Sequence, residues 1–222
     1  MPADPPPYAE LQISSNFSFL RGASHPEELA VTAAALGLVA FAITDRNSVT
    51  GLVKAHLAAK QAGIRMIVGC HVEVVDGPDI LIYPTDRDAY GRLTRLLTLG
   101  KRRVSKGECK IFQADLTDSN GVFAAGNGQV ACVVTPKEVN AVFESQLWQF
   151  RDQFNGDVYI TASIQYSGRD GTRLKRLSEV GVPMLATNDV HAHNLERRAM
   201  QDVLSCIREG CTIHEAGYRL HA

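Results

Sequence analysis

The 222-residue chain has no Cys-x-x-Cys pair, and its cysteines, Cys70, Cys109, Cys132, Cys206 and Cys211, are five in number. The missing pair argues against a zinc knuckle, and the odd count against a disulfide framework; reduced thiols in a cytoplasm fit better. No Gly-x-Gly-x-x-Gly opens a helix and no Gly-Lys-Ser/Thr loop occurs, which removes the two commonest glycine-built phosphate cradles. No apolar run reaches the roughly 20 residues that span a bilayer. The start, Met1-Pro-Ala-Asp-Pro-Pro-Pro7, lacks the basic then apolar profile of a signal peptide. These absences predict a soluble, cytoplasmic protein with no membrane partner. The net charge of -1 gives no global pull toward nucleic acid, so any such contact must come from a local patch.

Hydrophobic residues make up 45% of the chain, enough for one sizeable core. Strand and helix signals alternate from end to end, which favours an α/β fold with a mainly parallel sheet or barrel. Strands are expected at Glu10 to Ser14, Leu38–Thr44, Ile64–Gly69, Val130–Thr135, Val158–Ser163 and Met184–Asn188. A further pair, Val72–Val75 and Ile80–Tyr83, flanks the turn Asp76-Gly77-Pro78. Ser24-His-Pro-Glu27 reads as a capping box opening a helix that stops at Gly37. Other helices are expected over about 50–62, 87–99, 139–154, 171–180 and 196–209, with Gly63 and Gly210 as stops. Residues 101–128 read as a long loop with one short helix near Ala114–Leu116. Seven or so βα steps suggest a barrel more than an open doubly wound sheet.

Two apolar stretches end in polar residues, as buried strands delivering side chains to a rim would. Val39-Ala-Phe-Ala-Ile-Thr-Asp45 leads into Arg46, and Pro183-Met-Leu-Ala-Thr-Asn-Asp-Val-His-Ala-His193 delivers Asp189, His191 and His193. If the strand pattern continues, Asp189 and His191 lie on one side. A hydrogen-bonded Asp and His closing a strand end would look the same. Asp45 can bind metal, cap the following helix or pair with Arg46, and capping or pairing is the expectation. Tyr8, Phe17 and Phe19 alternate with polar residues and are expected to pack an end of the core. Trp148 shares a helix with Phe143, Leu147, Phe150 and Phe154 and is read as core. His25, His56, His214 and His221 lack companions.

In order and spacing, these segments resemble the polymerase and histidinol phosphatase (PHP) domain at the N-terminus of bacterial C-family DNA polymerases. The blocks that carry the likeness are Asn16-Phe-Ser-Phe-Leu-Arg-Gly-Ala-Ser24, Ala42-Ile-Thr-Asp45, Gly51-Leu-Val-Lys54, Ala62-Gly-Ile, Ile67-Val-Gly69 and Leu185-Ala-Thr-Asn-Asp-Val-His191. Glu10 to Ser24, Lys106-Gly-Glu-Cys and Arg197-Arg-Ala-Met-Gln-Asp-Val-Leu are most similar to the error-prone, damage-tolerant alpha-subunit branch. The resemblance implies a distorted seven-stranded (βα) PHP barrel, TIM-barrel-like. It also implies one PHP domain over 1–222, with a tail at 1–8 and, at 211–222, the start of a connection to a polymerase body. Active relatives hold two or three divalent ions at the C-terminal strand ends and hydrolyse phosphate esters.

Carried over residue by residue, the resemblance shows losses. The first-strand His-x-His falls at Gln12 and Ser14, and the following Asp at Arg21. The His of Thr-Asp-His is Arg46, and the Glu of Gly-x-Glu is His71. Asp79 stands where a histidine is usual, and only Asp189 and His191 match outright. A guanidinium stays protonated and cannot coordinate, so Arg21 and Arg46 place positive charge where a cation cluster would sit. They are instead expected to pair with Asp45 or Asp189. His71, Asp79, Asp189 and His191 are left as the ligands of at most one weakly bound divalent ion, zinc, manganese or magnesium. Whether Cys70 beside His71 is a ligand or packing stays open.

The expectation is a structural domain of an error-prone DNA polymerase III alpha-like subunit in translesion synthesis and DNA repair, without catalysis of its own. Nucleotidyl transfer in such enzymes needs palm carboxylates, which this chain does not supply. Its expected partners are the rest of the polymerase chain and, through it, DNA and other replication or repair subunits. Lys101, Arg102, Arg103, Lys106 and Lys110 form the one dense basic cluster, a candidate for salt-sensitive phosphate contact. The rival functions are a metal-dependent phosphoesterase or 3'-5' exonuclease of the same fold, and a nucleic-acid-binding module using that cluster.

Overall fold

The computed structural model describes residues 6–118, 123, 128–154, 157–166, 168–217 and 220. In chain order its elements are β1 (Ala9–Ile13), α1 (Pro26–Ala35), β2 (Ala40–Ile43), α2 (Leu52–Ala62), β3 (Arg65–Val68), β4 (Cys70–Val72), β5 (Ile80–Pro84) and α3 (Arg87–Arg102). There follow α4 (Gln113–Thr117), β6 (Gln129–Val133), α5 (Ala141–Gln153), β7 (Val158–Ala162), α6 (Asp170–Glu179) and β8 (Met184–Ala186). A 3-10 turn (Leu195–Arg197) leads into α7 (Arg198–Glu209), and α8 (Ile213–Ala216) closes the series. The class is α/β, as expected. The chain forms two compact units, one of residues up to Val68 with those from Asn188 onward, the other of Gly69–Thr187.

In the first unit β1, β2 and β3 form a parallel sheet. All four residues of β2 are buried, and Phe41 and Ile43 enter an apolar cluster with Leu29, Ala30, Ala33, Leu52, Ala55, Ala58 and Ala59. Methyl side chains at five of these positions let α1 and α2 pack closely against each other and the sheet. Gly63, at φ +69, ends α2 in the left-handed conformation that a side chain resists. The β1–β2 ladder contains a register shift: Glu10 aligns with Phe41, but Ile13 aligns with Ile43. At the shift the Thr44 hydroxyl takes a backbone role, accepting from Ile13 N–H at 3.0 Å, while Thr44 N–H donates to the Ile13 carbonyl at 2.8 Å. An isolated parallel bridge joins Ile13 to Val190.

The second unit holds a mixed sheet in the order β4-β5-β6-β7-β8, antiparallel across β4-β5-β6 and parallel across β6-β7-β8. Ile80, Leu81 and Ile82 of β5 are fully buried. In the same unit Phe150 and Phe154 pack as tilted rings with centroids 6.3 Å apart, and Phe123 meets Phe154 at 6.0 Å. Asp86 and Asn140 cap α3 and α5, each accepting from the N–H three residues on.

Several local expectations change. The described residues hold eight strands, as many as the individual segments suggested, and β3 and β4, on either side of Gly69, belong to different sheets. The partner of Ile80–Tyr83 is Cys70–Val72 instead of 72–75; Val74 and Val75 pair with Ile111. Helix α3 continues to Arg102, so Lys101 and Arg102 are helical and the loop begins later. Phe19 is 82% exposed, and Trp148 is 41% exposed with the Arg151 guanidinium 4.8 Å over its ring, so neither is core. Parts of the expected 1–8 tail, of the 101–128 loop and of the 211–222 connection, with His221, lie outside the described residues.

Gly22 allows the tightest backbone approach. A Cβ there would sit 2.1 Å from the Ser15 carbonyl oxygen and 2.5 Å from that of Ser14. Backbone atoms at that range cannot yield cheaply. Gly22→Ala is expected to destabilise the protein by at least about 2 kcal/mol in urea unfolding. An unchanged midpoint would show that the 15–22 turn is looser than described.

Candidate metal centre

Polar side chains gather at the C-terminal ends of β1 and β2. Asp45, 1% exposed, accepts from Ser15 N–H and the Ser15 hydroxyl, each at 2.8 Å, and from the Ser18 hydroxyl at 2.7 Å. The Ser18 hydroxyl oxygen also accepts from Arg46 N–H at 3.0 Å. Burial pushes the Asp45 carboxyl above its ordinary value, and the hydrogen bonds from Ser18 and Ser15 pull it back down. The wall here is close: a Cβ on Gly51 would lie 2.8 Å from Asp45 Oδ2. Asp45 thus organises the Ser15–Ser18 turn, a role beyond the three weighed from sequence.

At the end of β1, Gln12 Nε2 donates to Asp189 Oδ1 at 2.9 Å. The backbone continues the link, with Val190 N–H on the Gln12 carbonyl and Ser14 N–H on the Val190 carbonyl. Asp189 has φ +49, so the strand alternation expected over 184–191 is interrupted at that residue. His191 and Asp189 still come together, Nε2 to Oδ2 at 3.6 Å. In the second unit His71 Nε2 lies 2.9 Å from Asp79 Oδ2, and the other Asp79 oxygen accepts from Val74 N–H. Cys70 beside them is buried. The four candidate ligands therefore form two pairs, one in each unit.

A polynuclear centre needs convergent lone pairs, and these groups are committed elsewhere. The Gln12 amide meets Asp189 as an N–H donor, and both Asp45 oxygens accept hydroxyl or amide protons. Among the described residues, neither unit gathers three or more His, Cys, Asp or Glu side chains placed to hold an ion. Within either unit by itself, the described side chains do not gather the donors of a two- or three-ion site.

Three neighbouring networks were not read from the sequence. Glu10, 2% exposed, accepts from the Tyr8 hydroxyl at 2.8 Å, Gln12 N–H at 2.9 Å, and both Asn188 N–H and Nδ2 at 3.0 Å. Burial, then Glu10, pushes the Tyr8 phenol up; burial also raises Glu10. A glutamate inside a strand that otherwise reads as buried was the available signal. Ser24 does not cap α1. Its hydroxyl meets His193 Nδ1 at 2.7 Å and accepts from His193 N–H at 2.9 Å, while the helix starts one residue later, with Glu28 accepting from His25 N–H. Glu28 also pairs with Arg197.

Residues 10–135 match the family described as PHP domain. The chain belongs to the PHP domain family. Over nearly its whole length this PHP chain is similar to error-prone DNA polymerases. It is 50% identical to that of Caulobacter vibrioides, over 98% of this chain and 20% of that protein. It is 42% identical to that of Brucella abortus, over 95% of this chain and 20% of that protein. The chain spans about a fifth of the length of these relatives. An amidohydrolase from Chromobacterium violaceum, solved with bound sulfate and no metal, shares the fold with a TM-score of 0.62 at 20% identity, covering 83% of this chain and 87% of that one. A candidate metal-dependent phosphoesterase from Bifidobacterium adolescentis gives 0.55 at 14% identity, covering 84% and 88%.

The basic cluster of this PHP chain is split. Arg103 forms a two-pronged ion pair with Asp115, donates to the Lys110 carbonyl at 3.2 Å, and lies 5.5 Å from the centroid of the Phe112 ring. Lys101, Arg102, Lys106 and Lys110 are exposed. Arg103 is thus spent on closing the 103–115 loop. Its guanidinium holds the Asp115 carboxyl below its ordinary value. The sign follows: the pair's contribution is full above the unfolded-state aspartate value of about 3.9 and is lost as pH falls through the lower folded-state value. Asp115→Asn is expected to cost about 1 kcal/mol or less at neutral pH. Unfolding curves at stepped pH should show that difference shrinking below about pH 4; a penalty that grows in acid would refute the assignment.

Proposed function

We propose that this chain is the N-terminal PHP domain of an error-prone C-family DNA polymerase acting in translesion synthesis and DNA repair in the cytoplasm, and that its work is structural. The observation that carries the reading is Asp45. At the position of the family's Thr-Asp-His motif, the carboxylate is taken up by Ser15 and Ser18 and the following histidine is Arg46. Gln12 in place of a coordinating histidine, donating to Asp189, supports it further. In this reading at most one weak divalent ion, zinc, manganese or magnesium, binds at His71, Asp79, Asp189 or His191. Metal analysis of protein purified without chelator should find well under one ion per chain. Phosphomonoester and single-strand 3'-5' exonuclease assays with manganese or zinc should stay at the blank. Stoichiometric metal with hydrolysis abolished by Asp189→Ala would establish the phosphoesterase reading instead.

The partner in this reading is the rest of a longer polymerase chain, and α7 supports it. That helix is inverted: Gln201 and Ser205 face inward, while Met200, Val203 and Ile207 are 46%, 50% and 58% exposed. Among the described residues the inward Gln201 amide and Ser205 hydroxyl have no hydrogen-bond partner. An apolar stripe at spacing i, i+3, i+7 is the pattern of a helix covered by another surface. Lys101, Arg102, Lys106 and Lys110 are the residues proposed to reach DNA phosphates or a neighbouring subunit. The double variant Val203→Glu, Ile207→Glu should change the unfolding free energy of this chain by less than about 0.5 kcal/mol. In a full-length polymerase carrying it, the same pair should lower the thermal midpoint. No change in either would place the docking surface elsewhere.

A further inference from the structure

Cys206 and Cys211 are brought together by the way α7 ends. Gly210 adopts φ +62, its N–H bonds the Ile207 carbonyl at 3.3 Å, and Cys211 N–H bonds the Cys206 carbonyl at 3.1 Å. That pairing of hydrogen bonds is the Schellman ending, in which the residue after the left-handed glycine folds back over the residue five positions earlier. Apolar side chains normally occupy both positions. Here both are thiols. Cys206 is buried and Cys211 partly exposed. Both line an open groove of about 410 Å³ with Val203, Ile207, Ile213 and Glu215.

We propose that Cys206 and Cys211 are a reversible oxidation site, converted to an intramolecular disulfide by a low-molecular-weight disulfide such as oxidised glutathione. Cys211, the more accessible thiol, loses its proton and attacks one sulfur of the oxidant; a mixed disulfide forms and one small thiolate leaves, taking up a proton. The Cys206 thiolate then attacks the Cys211 sulfur, expelling the second small thiol. Two protein thiols become one disulfide, and the oxidant is reduced to two thiols. The new bond closes a covalent loop over residues 206–211 and fixes the turn between α7 and α8. A disulfide requires that its Cα atoms lie close with Cβ vectors converging. The remaining thiols, Cys70, Cys109 and Cys132, lie in the other unit and belong to no such motif.

The test is intact-mass spectrometry of the reduced chain before and after incubation with oxidised glutathione, followed by alkylation, digestion and peptide mapping. The expected product has lost two hydrogens and yields one cross-linked peptide pair joining Cys206 to Cys211, reversed by dithiothreitol. In Cys206→Ser, with folding verified by circular dichroism, the glutathione adduct on Cys211 should persist because no second thiol resolves it. Separate alkylation of Cys206 and Cys211 after oxidation, or a cross-link to any other cysteine, would overturn the proposal.

Discussion

The buried carboxylate of Asp45 is the constraint on which the rest of the first unit depends. A charge 1% exposed is unfavourable unless its oxygens are filled, and the turn after β1 fills them with two hydroxyls and an amide. The satisfied carboxylate in turn fixes that turn, brings Ser18 to the Arg46 amide, and leaves Gly22 no room for a methyl group against the Ser15 carbonyl. The same hydrogen bonds that stabilise the turn occupy the Asp45 oxygens. Hydrogen bonding and coordination compete for the oxygens of a carboxylate, and here the serines hold them.

The second competition is between like polarities at the end of β1. A coordinating site needs acceptors that converge; Gln12 instead supplies an N–H to an Asp189 oxygen. His71 and Asp79 satisfy each other in the same manner. Each contact gives a polar side chain a hydrogen-bonding partner, as polar groups withdrawn from water require. Membership of the PHP family therefore coexists with polar side chains that are paired with one another at these positions.

Much of the fold was legible because it rests on local signals. Gly63 and Gly210 stop helices where only a left-handed residue fits, and the apolar run Ala40–Ile43 is the fully buried strand it reads as. What was illegible depends on distant partners. Ser24 has the composition of a cap, but a histidine 169 positions away claims its hydroxyl. Trp148 follows the spacing of its buried neighbours only loosely, and a quarter-turn on the helix puts it beside Arg151 in solvent. The basic cluster looked uniform because sequence does not show Asp115 folding back onto Arg103. At the candidate site, residue types revealed which ligands were missing, but not what their replacements bond to.

The one-residue slip between β1 and β2 has a further effect. Counted on from the Glu10–Phe41 alignment, an unbroken ladder would set Gln12 beside Ile43; the slip sets Ile13 there instead. An aliphatic side chain thus fills the layer between sheet and helices, and the carboxamide is released toward Asp189. Parity along a strand is binary, so shortening β1 by a single residue would swap the two and send an amide into hydrocarbon. The length of this strand, as much as its composition, keeps the interior dry.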